Sequence, residues 1–388
     1  MRTRPAPAVV LGAGVNLIEV VRALALAGVP TATVAPGRDA ARLSRHATAV
    51  ATVDWSDPAA LAGDRALLDR LLAWARTQPV PPPLLFTSDE ALLFVSRHRA
   101  ELAAAFRFAI ADNDSVQVMV DKARFAPLAQ QLGLPVPATL IATVAADVPA
   151  GLAQLGFPLI VKPYRRDRAW HQAVRTPEKA TLVGDQAELC RLWARLATLA
   201  APVVVQASVA GPESRIESYH VYVDEGGTVA AEFTGRKIRT LPAAYGHTTA
   251  LAITDTPDVL ACGRQLVRAL NLRGVAKVDF KRAPDGTLFL LEVNPRYHLW
   301  HHPGALAGVN IPAIVYADLI GGARPPARRA APGVRWVHPR DVLAARAVGV
   351  PTWRWLRWAR GCEAKAFWAW DDPLPLIGAV ASRLSPGR

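Results

Sequence analysis

The chain has 388 residues, 51% hydrophobic and 20% charged, with a formal net charge of +13. That length points to two or three domains. No run of about 18 apolar residues predicts a membrane span, and no apolar N-terminal stretch predicts a signal peptide. The positive charge comes mostly from scattered arginines, and without a zinc finger, helix-turn-helix or basic tail no nucleic-acid partner is expected.

Residues 8–111 alternate strand and helix signals. "AVVLG" and "TATVA" read as short strands, "VVRALALAG" and "ALLDRLLAWART" as helices, and "PPPLLFTSDE" as a proline stop, a short strand and an acidic loop entering another helix. Alternation of this kind predicts an α/β fold with a parallel, Rossmann-like sheet over 1–111. The opening "VVLGAGVNLIEVVRAL" has the strand–glycine–helix start of a dinucleotide-binding fold. It lacks the third glycine, where Leu17 stands, and "TATVA" is followed by Pro36, Gly37 and Arg38 in place of a ribose-binding acid. A nicotinamide or flavin cofactor is therefore disfavoured, and with it an NAD(P)-dependent oxidoreductase.

A second pattern begins at Asp112. Asp112–Ser115 can cap a helix, and Gly133 with Pro135 ends the next one. "PLIVKPY" and "PVVVQASVAG" read as strands around the helix "DQAELCRLWARLAT". More strands follow in "SRIESYHVYVDEGGTVAAEFTGRKI", with Gly226-Gly227 at a turn, and then the helix "DTPDVLACGRQLVRALNL". From about residue 325 a Pro/Gly/Arg linker leads into a tail that holds six of the eleven tryptophans. The expected segments are 1–111, 112–205, 206–325 and 326–388. The three cysteines, Cys190, Cys262 and Cys362, lie far apart without metal-binding spacing, which predicts reduced thiols in a cytoplasmic protein.

The hairpin "GVAKVDFKRAPDGTLFLLEVNPR" carries the most chemistry. A loop of two residues (Asp285-Gly286) or four (Pro284–Thr287) places Asp279 opposite Glu292, Lys277 opposite Asn294, Val278 opposite Val293 and Phe280 opposite Leu291. Apolar then meets apolar and polar meets polar. A three-residue Pro-Asp-Gly loop is chemically reasonable, but it sets Asp279 against Leu291 and is rejected. Two facing carboxylates at about 4 Å repel by roughly 4 kcal/mol at an effective dielectric near 20. Lys277 can offset this as an ion pair. A divalent cation can do so through the oxygens of Asp279, Glu292 and Asn294; Mg²⁺ suits such a set, completed by water and phosphate.

A strand Asp, a hairpin and then "LEVNPR" resemble the magnesium site of the ATP-grasp superfamily. "DKARFAPLAQQLGLPVPAT", "GFPLIVKP" and "VVVQASVAGPE" resemble that superfamily's leading helix, lysine strand and adenine hinge, in the expected order. "GRKIRTLPAAYGHTT" and "WDDPLPLIG" look most like the carboxylate–amine ligases near D-aspartate ligase, related to carbamoyl phosphate synthase. Over residues 8–325 the resemblance implies a two-lobed ATP-grasp α+β fold after the first sheet, with a small lobe in 112–205, a large lobe in 206–325 and a Trp-rich C-terminal extension. It also implies a ligase that uses ATP and Mg²⁺, with Mn²⁺ able to replace it, to join a carboxylate to an amine. A non-catalytic ATP-binding protein is the other outcome the same motifs allow.

The resemblance assigns Lys162 and Lys122 to the phosphates, although Lys122 can also pair with Asp121 on a helix surface. Adenine falls to Gln206, Ala207 and Val209, with Gln206 standing where Glu is common, and the ribose to Glu213. Arg296 and Arg239 fall to the γ-phosphate and acyl phosphate. Arg165, Arg166, Arg168 and His171 stand where relatives carry a glycine-rich phosphate flap, and a solvated charge run is an equal reading. Gly14 and Asn16, at the opening helix N-terminus, are candidates for the substrate carboxylate. Asp89 or Glu90 is a candidate for the substrate amine, though a helix-cap role competes. Arg236 and His247 complete the candidate substrate set. His298, His301 and His302 do not have zinc spacing, and packing is expected of them. In the tail, "WRWLRWARG" is expected to pack on the body of the protein, a membrane-surface helix being the alternative. A homodimer is compatible with these readings.

Overall fold

The computed structural model describes residues 5–57, 64–143, 148, 150–163, 170, 174, 180–197, 202–326 and 328–384. Four strands, β1 (Ala8–Leu11), β2 (Thr31–Ala35), β3 (Ala47–Thr52) and β4 (Leu84–Phe86), form a parallel sheet in the order β3-β2-β1-β4. Helix α1 (Gly14–Leu26) follows β1. It buries eight consecutive residues, Leu17 to Leu24, including Glu19 and Arg22. A helix buried all round lies between layers rather than on a surface, and α1 lies within the protein.

The second sheet contains β5 (Thr139–Thr143), β6 (Leu159–Pro163), β7 (Thr181–Val183) and β8 (Pro202–Ala207) in the order β5-β8-β6-β7. The helix Gln186–Leu196, capped by Asp185, packs Leu189, Leu192, Trp193 and Leu196 into a core formed with this sheet. That core is separate from the other apolar clusters.

The third sheet is the largest. It contains β9 (Ile216–Val223), β10 (Val229–Leu241), β11 (His247–Thr254), β12 (Gly274–Arg282), β13 (Leu288–Asn294), β14 (Arg335–Val337) and β15 (Ala364–Lys365), in the order β13-β12-β9-β10-β11-β14-β15. Residues beyond 326 thus supply its last two strands. One face of this sheet, with Tyr219, Val221, Ala276, Val278 and Phe280, shares a core with Val9, Leu11 and Phe86 of the parallel sheet. On the other face Tyr222, Phe233, Leu251 and Ile253 pack with α1, Trp300 and Trp336. The first and third sheets are therefore joined by two continuous cores.

The β12–β13 hairpin corrects the expected loop. Its turn is the three-residue Pro284-Asp285-Gly286 that had been rejected: the Gly286 N–H donates to Ala283 O and the Ala283 N–H to Thr287 O. Gly286 takes φ +93°, the left-handed conformation this loop needs. A bulge then shifts the register between Asp279 and Phe280, so Phe280 faces Leu290 and not Leu291. The bulge absorbs the odd residue. Asp279 still meets Glu292, Val278 meets Val293 and Lys277 meets Asn294.

Among the described residues no helix is long and apolar enough to cross a membrane. All three cysteines are free.

Candidate active site

The hairpin places Asp279, Glu292, Lys277 and Asn294 on one sheet face. Ser218 of β9 lies beside Asp279 in register, and Gly235 of β10 beside Ser218. Two residues beyond Gly235, Lys237 returns to this face. Asp279 is buried, and its carboxylate accepts from Ser218 Oγ and from Lys277 Nζ at 2.6 Å, with Lys237 Nζ at 3.6 Å. Lys277 also lies 3.9 Å from Glu292, whose side chain is 42% exposed. The repulsion between the acids is thus offset by two lysines.

Burial acts to lower the Lys237 pKa, but Asp279, Glu292 and Glu213 outweigh it and the ammonium ends above its ordinary value. The charge therefore persists through neutral pH. Its stabilisation is complete below the ordinary lysine range and is lost as pH rises through the raised value. Of the three carboxylates, Asp279 lies 3.6 Å from the ammonium. Glu213 in turn accepts from the buried Lys281 at 3.4 Å.

Arg236 and Arg239 do not join this cluster. Arg236 pairs in register with Glu217, on the opposite sheet face, and its side chain is exposed. A bulge after Lys237 turns Arg239 to that opposite face as well. There Arg239 makes a two-pronged contact with Asp341, Nε to Oδ1 at 3.0 Å and Nη2 to Oδ2 at 2.5 Å, and lies over the Trp358 ring at 4.3 Å. The placement of Arg239 at the phosphates is corrected: Lys237, two residues earlier, is the cation facing the acids. Strand alternation alone would set the two on one face, and the bulge between them separates them.

Arg296 Nε contacts Asp89 Oδ1 at 2.5 Å, and its Nη1 donates to Thr87 O at 3.4 Å. It ties the loop after β13 to the helix Asp89–Arg97. Ser88 caps that helix by accepting from the Ala91 N–H, and Glu90 in its first turn is exposed.

The opening glycine turn already carries a carboxylate. The Gly14 N–H donates to Asp39 Oδ2 at 2.6 Å, and Asp39 also accepts from Ala41 N. Burial raises the Asp39 pKa, while these N–H donors and Arg42 pull the other way. Asn16 is a bridge: Nδ2 donates to Thr87 O at 3.3 Å and Oδ1 accepts from Leu299 N at 3.1 Å. The assignment of Gly14 and Asn16 to a substrate carboxylate is thereby corrected, because an internal acid and two backbone groups take their bonds. Leu17, where a dinucleotide fold carries glycine, is wholly buried.

In the second sheet, Lys162 of β6 donates to Gln206 Oε1 at 2.9 Å, and Gln206 Nε2 donates to Thr139 Oγ1 at 2.8 Å. An amide oxygen has a second lone pair for another donor. At the end of β8 the Ala207 and Ser208 N–H groups donate to Ala138 O and Pro158 O, and Val209 is buried. Lys122 opens the helix Lys122–Gln131, but its side chain is outside the described residues. Arg165, Arg166, Arg168 and His171 also lie outside them. His247 stands exposed at the start of β11.

His298, His301 and His302 are buried. His220 Nδ1 is 3.4 Å from His298 Nε2, the rings of His298 and His301 stack at 4.5 Å, and His302 contacts Glu19 at 2.6 Å. Burial, with nearby cations, holds His220 and His298 well below the usual imidazole range, and burial takes His301 down to about 3. His220, His298 and His301 are neutral packing groups. Among the described residues no group of three or more His, Cys, Asp or Glu side chains forms a metal cage. The hard-cation oxygens present are those of Asp279, Glu292 and Asn294. Such a small set fits Mg²⁺, which takes few protein ligands and completes its shell with water and phosphate.

Residues 222–339, spanning Lys237, the acidic hairpin and Arg296, match the family model described as "ATP-grasp in the biosynthetic pathway with Ter operon". The chain is 30% identical over 188 residues to the D-alanine–D-alanine ligase of Stutzerimonas stutzeri (strain A1501), covering 45% of this chain and 54% of the relative. It is 23% identical over 245 residues to the D-aspartate ligase of Enterococcus faecium (strain Aus0004), covering 61% and 58%. The chain thus spans between half and two thirds of these curated relatives. Among solved structures it superposes on an ADP complex of N5-carboxyaminoimidazole ribonucleotide synthetase with TM-score 0.63 at 15% identity, covering 86% of this chain and 82% of that one. On the L-amino acid ligase from Bacillus licheniformis the TM-score is 0.62 at 15% identity, covering 83% and 76%. At such identities the superpositions establish the fold.

Proposed function

We propose that the chain is an ATP-grasp protein and an ATP-dependent ligase joining the carboxylate of one small molecule to the amine of another. The carrying observation is the buried Asp279 held by Lys237 at 3.6 Å and Lys277 at 2.6 Å, with Lys277 also 3.9 Å from Glu292. The names of the curated relatives point to amino acids as the substrate class.

In the first step a carboxylate oxygen of the acid attacks the γ-phosphorus of ATP, the bond to the β-phosphate oxygen breaks, and ADP leaves an acyl phosphate. In the second the amine nitrogen attacks the acyl carbon, inorganic phosphate leaves, and the nitrogen loses a proton. Asp279, Glu292 and Asn294 would hold Mg²⁺, or Mn²⁺ in its place, which offsets phosphate charge. Lys237 sets a fixed positive charge on the same face, where charge accumulates on the transferring group. Lys162, held by the neutral Gln206, meets the phosphates of bound nucleotide, and Glu213 accepts from the ribose hydroxyls. Arg296, oriented by Asp89, faces the acyl phosphate. The second sheet has its own core and can move as a unit to close over the nucleotide, keeping water from the acyl phosphate.

The test is a screen of carboxylates and amines for ADP and phosphate release. Release that requires both partners, with an amide product by mass spectrometry, is the expected result. Tight ATP binding with no turnover for any pair would make the protein a nucleotide sensor. Lys162→Met is expected to weaken ATP binding about tenfold or more, the value of a charge-assisted hydrogen bond, measured by calorimetry. Unchanged affinity would remove Lys162 from the nucleotide site.

A further inference from the structure

The helix Thr352–Arg360 lies on the surface with its roll fixed from beneath. Trp355 and Trp358 pack with Val337, Ala359 and Cys362. The Trp355 indole N–H donates to Asp341 at 2.8 Å, and Arg239 lies against Trp358. The expected packing of this segment on the body therefore applies to two of its tryptophans.

The outer side is different. Trp353 and Leu356, one turn apart, are 61% and 57% exposed. Arg354, Arg357 and Arg360 are exposed among them. No acidic residue occurs from Thr352 to Gly361, and among the described residues none of these three arginines forms an ion pair. The Arg354 guanidinium lies over the Trp353 ring at 5.2 Å. Beside it opens a cavity of about 440 Å³ lined by Arg335, Trp353, Arg354, Arg357, Trp358 and Gly361. Leu343 and Val348, in the segment just before this helix, are 50% and 59% exposed.

We propose that this face docks the protein on an anionic lipid surface. Trp353 and Leu356 enter the boundary between headgroups and acyl chains, while Arg354, Arg357 and Arg360 extend to lipid phosphates. The arrangement answers both deficits of the face at once: cations without counter-charges and apolar side chains without cover. A nucleic-acid strand would satisfy the arginines and stack on Trp353 but leave Leu356 in water. A helix of two and a half turns is a small anchor, so attachment is reversible and weakens with salt.

The test is sedimentation of the full chain with vesicles of phosphatidylcholine alone or mixed equally with phosphatidylglycerol. Binding is expected to the mixed vesicles only, at low salt, with a blue shift of tryptophan emission. The pair Arg354→Gln and Arg357→Gln should lower partitioning about 30-fold, each arginine being worth about 1 kcal/mol near an anionic surface. Trp353→Ser with Leu356→Ser should lower it at least as much. All four side chains are exposed, so unchanged thermal unfolding checks that the variants fold. Failure of the chain to bind the mixed vesicles at low salt, or equal binding of the serine variant, overturns the proposal. So does tighter binding to single-stranded DNA that depends on the arginines but not on Leu356. None of these outcomes bears on ligase turnover, which is read without lipid.

Discussion

Glu292→Gln is expected to lower ligase turnover by about a hundredfold or more, the scale of losing one preorganised electrostatic element, while leaving the fold intact. Its side chain is 42% exposed and lies 3.9 Å from Lys277, at the edge of ion-pair range. Exposed pairs of this kind contribute at most about 1 kcal/mol, so stability should barely change. The Mg²⁺ concentration for half-maximal rate should rise in the same variant. Asp279→Asn should lose turnover too, but it is the less discriminating probe. Asp279 is buried among Ser218, Lys277 and Lys237, and neutralising it leaves two lysines short of counter-charge. A Glu292→Gln enzyme with full turnover and unshifted Mg²⁺ dependence would show that the acid pair serves only the lysines.

Asp341→Ala is expected to destabilise the protein by about 3–5 kcal/mol, the cost of breaking a buried pair from one side. Asp341 is fully buried, and its carboxylate accepts from Arg239, from Thr249 Oγ1 at 2.7 Å and from the Trp355 indole at 2.8 Å. Removing it strands a guanidinium, a hydroxyl and an indole N–H together. For a chain of this length the midpoint of thermal unfolding should fall by about 5 °C. Asp341→Asn, which retains an acceptor, should lose less. A midpoint unchanged in Asp341→Ala would mean that the tail is not fastened to the large sheet through this residue.

The β12–β13 hairpin shows how far local pattern reaches. Alternation of apolar and polar residues was enough to place Asp279 opposite Glu292, because a misplaced strand face costs burial at every second residue. The means of reaching that register was not legible. A three-residue turn and a bulge produce the same acid pair as a two- or four-residue turn without one. The lysine strand and the 202–207 strand were legible for the same reason: each is a short apolar run between turn signals.

Lys237 and Arg239 mark the limit. Both are cations near the end of one strand, and one bulge sends them to opposite faces. Nothing in "GRKIR" distinguishes a residue that meets Asp279, across the sheet, from one that meets Asp341, 102 positions later. The glycine turn is similar. Asp39 lies only just past the end of the second strand, yet its place on the Gly14 amide depends on how the following loop folds back.

The hairpin acids and the main strands and helices were legible because they follow from periodicity along a short stretch of chain, whereas a nucleotide site was only implied by resemblance. Tertiary structure decided which charges are free to meet a substrate. Glu19 with His302 and Trp336, Arg22 with Asp372, Asp39 with Gly14, and Arg239 with Asp341 are all internal bonds between distant segments. Burying a charge is costly unless a partner meets it. Folding therefore pairs off these groups, and the partner is set by packing in three dimensions rather than by neighbours in the chain.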